Sequence, residues 1–144
     1  MKKKLQLQSQ IKSLIKKYIK LLNLEQWEID IVLSKSDLLK VKRGRVNKVK
    51  ADYYAEVIYE YMSKNATLIL TKLQTVDKLY ELEDTIVHEL LHIKFAPIIQ
   101  VADSLITTSG LKKERIEALA GEIDSREHEI IKTVIKIILD KKEK

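Results

Sequence analysis

The 144 residues predict an α+β fold: an N-terminal helix, a small three-stranded antiparallel sheet, a helix carrying a histidine pair, and a long C-terminal helix. Three observations point there. Apolar residues recur at helical spacing at both ends of the chain, they fall into short alternating or β-branched runs between residues 27 and 71, and turn-forming residues separate these segments. At this length the chain reads as one domain, residues 1–144, large enough to bury a core of its own.

The elements follow in order. Leu5, Ile11, Leu14, Ile15, Tyr18, Ile19 and Leu22 mark one face of the first helix. Trp27 to Leu33 alternates and stops at Ser34, which reads as a strand. Ala51 to Met62, rich in Tyr and β-branched residues, is a second strand; Ser63-Lys64-Asn65 is a turn, and Ala66 to Thr71 returns as a third. Placed just before the next helix, that third strand is expected to offer an edge to which an extended peptide can add. From Leu82 to Phe95 apolar residues lie on nearly every side, as in a helix buried in the core. Pro97 is expected to break or restart this helix, because proline lacks the backbone N–H and clashes with the carbonyl four residues back. Ile98 to Ile106 then forms another short helix, and Thr107-Thr108-Ser109-Gly110 a flexible loop. Leu111 to Leu139 is the long final helix, with an apolar stripe of Ile116, Leu119, Ala120, Ile123, Ile130, Ile131, Val134 and Ile138.

Within the apolar helix stands His88-Glu89-Leu90-Leu91-His92. Residues four apart lie one above the other on a helix, so both imidazoles can face one ion, with Glu89 one step round to flank it. This is the HExxH pattern, in which two histidines hold zinc and the glutamate acts as general base on a water. With 3 His and 13 Glu in the chain, a shuffled sequence would show it in roughly half a percent of cases, so chance is a poor explanation. Burial adds to the argument: polar groups inside an apolar helix need partners, and a divalent ion would serve both rings.

Catalytic zinc usually takes three protein ligands and leaves the fourth position open. The longer pattern HExxHxxGxxH is absent, since Phe95 stands where its glycine belongs, so the third ligand must come from a later helix. Glu127 is the one carboxylate on the apolar stripe of the last helix, four after Ile123 and four before Ile131, and is directed inward. It is the first candidate for the third ligand. His128, about 100° round the helix between Asp124 and Lys132, is the rival, either as ligand or as a group that steadies an oxyanion. Glu129 falls among Glu122, Arg126 and Lys136 on a solvated face.

Composition narrows the rest. There is no cysteine, hence neither disulfides nor thiolate metal sites. No apolar run approaches the roughly 18 residues of a membrane span, and the basic start lacks a signal peptide's apolar region, so a cytoplasmic protein without a membrane partner is expected. Charge is uneven: residues 1–50 hold 14 basic and 4 acidic side chains, whereas residues 51–144 hold 13 and 17. The excess collects on the first helix and on Lys35 to Lys50, a stretch that reads first as a solvated loop or a hairpin turn around Gly44 and second as a contact for nucleic acid.

Helix, small sheet, HExxH helix and a helix with an inward glutamate together resemble the gluzincin branch of zincin metallopeptidases, in the short form of the minigluzincins. The likeness covers roughly residues 20 to 139 and rests on His88 to His92, the strand Thr67 to Thr71, and Arg126-Glu127-His128-Glu129-Ile130-Ile131. It implies a zincin-like fold, one zinc held by His88, His92 and Glu127, Glu89 as catalytic base, and a peptide or unfolded protein as substrate. Relatives often show two adjacent glutamates where this chain has Glu127 and Glu129 around His128, so the third ligand stays open between Glu127 and His128. Tyr53, Tyr54, Tyr59, Tyr61 and His128 are candidates to steady the oxyanion. Two other readings follow: a SprT-like DNA-associated metallopeptidase using the Lys35–Lys50 stretch, and a latent zinc-binding module.

Overall fold

Helix α1 (Lys2–Leu21) forms where the periodicity places it, and its apolar face is the part that counts: Ile11, Ile15 and Tyr18 are fully buried. Its end is set by one residue. Asn23 adopts a left-handed conformation (φ 56°), the Leu24 N–H reaches the Ile19 carbonyl (2.9 Å) and the Asn23 N–H that of Lys20 (3.2 Å). That pair of bonds is a Schellman cap, and asparagine tolerates the positive φ better than most residues. The computed structural model describes residues 2–34, 55–70 and 79–140. Lys35–Lys50, with the turn around Gly44, lies outside them, as do Tyr53, Tyr54, Thr71 and the first four residues of the expected second strand.

The described strands are β1 (Glu28–Val32), β2 (Glu56–Glu60) and β3 (Asn65–Ile69), in the order β1-β3-β2. The sheet is mixed, which corrects the antiparallel expectation: β3 pairs antiparallel with β2 but parallel with β1, Ile31 opposite Leu68. The physical reason lies in β3 itself. Four of its five residues are buried, so it takes the centre and is paired on both sides. The turn Tyr61–Lys64, with Lys64 at φ 53°, closes the β2–β3 hairpin, whereas the long connection after β1 leaves its direction free. A central strand has no open edge, so peptide addition on β3 does not hold; β1 and β2 are the edges among the described strands. Trp27 anchors this end of the sheet edge-on to Tyr59 (6.3 Å between ring centroids) and tilted against Tyr61 (6.4 Å).

Helix α2 (Leu79–Thr107) is a single helix of 29 residues that contains Pro97. The expected break and the separate helix 98–106 are therefore corrected. Proline forfeits one hydrogen bond, but no glycine or second proline lies near it, and the helical ladder resumes on its far side. The chain forms two compact units, residues 1–93 and 94–144, and α2 begins in one and ends in the other. In the first unit the Tyr18 hydroxyl donates to Glu83 Oε2 (3.0 Å), tying α1 to α2. Helix α3 (Lys113–Asp140) follows a loop in which the hydroxyls of Thr107, Thr108 and Ser109 donate to the last carbonyls of α2, and Gly110 turns at φ 75°.

Residues 81–107 also have the length and mean hydropathy (1.3) that a membrane span needs, which no uninterrupted apolar run had suggested. Length and composition alone are weak evidence, because a core helix of a soluble protein passes the same test. His88, Glu89 and His92 inside it would be costly in hydrocarbon.

Candidate metal centre

The first half of α2 places the histidine pair. Leu82, Ile86, Val87, Leu90, Leu91 and Ile93 are buried around it, which fixes the rotation of the helix about its axis. His88 and His92 are half-buried on one side, and Glu89, next round the helix, is buried. The Nε2 atoms of His88 and His92 lie 3.3 Å apart, with ring centroids 5.0 Å apart and planes inclined by 70°. Two nitrogens each about 2.0–2.1 Å from a tetrahedral ion are themselves separated by roughly 3.3–3.4 Å. The pair thus has the bite of two imidazoles on one metal. A hydrogen bond between one protonated and one bare nitrogen has a similar separation, so a metal titration separates the two cases. The donors are imidazole nitrogen and carboxylate oxygen, with no cysteine in the chain, a set that suits zinc and its first-row neighbours.

Helix α3 carries the remaining candidates. Its buried residues are Glu127, Ile131, Ile135 and Leu139, a line advancing in steps of four. Glu127 is directed inward, as its position on the stripe predicted. The stripe itself is narrower than expected, since Ile130 is half exposed and Ala120 exposed. Within the second unit, Glu127 lines an apolar groove of about 420 Å³ formed with Phe95, Ile98, Leu119, Ile123 and Ile130.

His128 is held differently. Its Nδ1 lies 2.8 Å from the backbone carbonyl oxygen of Asp124 and 3.6 Å from that residue's carboxylate. A carbonyl oxygen only accepts, so Nδ1 carries the hydrogen, which leaves Nε2 as the nitrogen able to bind a metal. Outer hydrogen bonds of this kind commonly orient metal-binding histidines. The spacing of four between Asp124 and His128 is the one sequence signal for this contact. Glu129 pairs with Arg126 (3.2 Å) on the exposed face, as the charge pattern indicated. Tyr59 and Tyr61 pack against Trp27. One turn before His88, burial raises the Asp84 carboxyl above the ordinary carboxylate range.

Comparison with protein families, with curated proteins and with solved structures finds no match to this chain.

Proposed function

We propose that this chain is a zinc-dependent peptidase of minimal size, with His88 and His92 as metal ligands, the third ligand supplied by α3, and Glu89 as the general base. The observation that carries the reading is the 3.3 Å approach of the two Nε2 atoms on a helix of HExxH sequence. Zinc, when bound, supplies Lewis acidity, which acidifies a water and polarises a carbonyl. Glu89 has the remaining task. Its buried carboxylate accepts the proton of the attacking water and returns it to the leaving amine. The apolar packing of α2 holds base and ligands in one fixed relation, as positioning for catalysis requires.

For the third ligand the Glu127–His128 step offers both donors. Glu127, buried and carboxylate, completes the His₂Glu set that the gluzincin resemblance implies. His128 has an observation in its favour: its ring already donates from Nδ1, the outer hydrogen bond that commonly orients a metal-binding histidine. In that second reading Glu127 accepts hydrogen bonds beside the site. Single substitutions distinguish the two, because the ligand's loss weakens zinc binding by more than the roughly 10–100-fold that loss of an outer partner costs.

The experiment is cleavage of a denatured protein by wild type, Glu89→Ala, Glu127→Ala and His128→Ala, each with its zinc content measured. Wild type is expected to cleave and Glu89→Ala to keep its zinc without cleaving. Zinc-loaded wild type that cleaves no unfolded protein or peptide would overturn the peptidase and leave a zinc-binding module.

A further inference from the structure

The first helix carries charge of one sign only. Seven lysines and no acidic residue occur among the first 24 positions, and all seven fall within α1. Helix α3 is the contrast, because there basic and acidic residues interleave and pair, Lys113 with Glu117 and Arg126 with Glu129. On α1 the side chains of Lys3, Lys12, Lys16, Lys17 and Lys20 are exposed. Lys12, Lys16 and Lys20 follow one another at spacings of four on an exposed flank, Lys12 and Lys16 each about 100° round the helix from the buried Ile11 and Ile15. At 1.5 Å per residue they form a ridge about 12 Å long. None of the three makes an ion pair with another described residue.

We propose that this ridge binds the phosphate backbone of double-stranded nucleic acid. Charge complementarity selects a polyanion, since like charges along a ridge without acids repel one another and favour a partner that neutralises several at once. Duplex DNA offers a phosphate about every 3.4 Å of axis on each strand, enough to meet all three ammonium groups along 12 Å. An anionic membrane is the poorer partner, because an interfacial helix inserts its apolar face and that of α1 is already buried in the protein. A single strand is also poorer: binding it generally uses exposed aromatic platforms, and the only aromatic residue of α1, Tyr18, is fully buried. The contact is to backbone, so binding is independent of base sequence.

The test is fluorescence anisotropy with a labelled random-sequence 25-base-pair duplex, titrated across salt, for the full chain and two triple variants. Wild type is expected to bind at 50 mM salt, with log affinity falling linearly in log salt. Changing Lys12, Lys16 and Lys20 together to Gln is expected to weaken binding at least tenfold and to flatten the slope by about 2.7, equivalent to about a 40-fold smaller loss of affinity between 50 and 200 mM. Changing the same three to Arg is expected to keep both affinity and slope, which excludes a loss of fold as the cause. No duplex binding at 50 mM by wild type, wild-type binding by the Gln variant, or capture by vesicles of 30 % phosphatidylserine in preference to duplex would each overturn the proposal.

Discussion

The two halves of α2 share an apolar composition and part company in the fold. Between Leu82 and Ile93 the apolar side chains are buried, and His88, Glu89 and His92 stand among them. Between Lys94 and Thr107, Ile98 is 67 %, Val101 59 % and Leu105 66 % exposed. Apolar composition alone therefore does not decide burial. Polar residues retained within the buried half are the informative feature, because their desolvation has to be offset by a partner.

That contrast can be tested at four levels. The largest effect belongs to the proposed ligands: His88→Ala or His92→Ala is expected to weaken zinc binding by more than about a hundredfold, measured by competition with a chromophoric chelator. Packing comes next. Leu90→Ala, in the buried half, should cost about 2–5 kcal/mol in urea unfolding, whereas Leu105→Ala should stay within about 0.5 kcal/mol; equal losses would erase the distinction between the halves. Pro97 interrupts the hydrogen-bond ladder of the same helix, so Pro97→Ala is expected to add up to about 3 kcal/mol of stability in the same measurement. The smallest effect concerns Asp84. Its carboxyl is raised by burial, so the contribution of this group to folding is fully present below the ordinary carboxylate pKa and is lost as pH rises through the raised one. Asp84→Asn should therefore raise the melting temperature slightly at neutral pH, with the gain fading towards about pH 3.

Much of this architecture was legible because helices report themselves locally. The spacing of Ile11, Ile15 and Tyr18, the HExxH pair, and the inward position of Glu127 all follow from 3.6-residue periodicity, and each lies where that periodicity puts it. The sheet was legible only in its strands. Alternation locates β1, and the turn Ser63-Lys64-Asn65 locates β3 after it, but neither says which strand lies beside which, and the parallel β1–β3 pairing joins residues more than thirty positions apart. Pro97 misled for a different reason: its cost is local, while continuation of α2 depends on the residues on both sides. At the site, sequence brought out His88, Glu89 and His92 together but left Glu127 and His128 undecided, since adjacent helical residues differ by only about 100°. The hydrogen bond from His128 Nδ1 to Asp124 is the detail that structure added.

The central claim is that α2 holds a metal between two imidazoles, and metal content tests it most directly. Protein is stripped with chelator, incubated with zinc, desalted and analysed by mass spectrometry, for wild type, Glu89→Ala and the double variant His88→Ala/His92→Ala. About one zinc per chain is expected in wild type and in Glu89→Ala, and under about a tenth of that in the double variant, as for a site of few protein ligands. Wild type that takes up no zinc, or a double variant that retains it, would contradict the account.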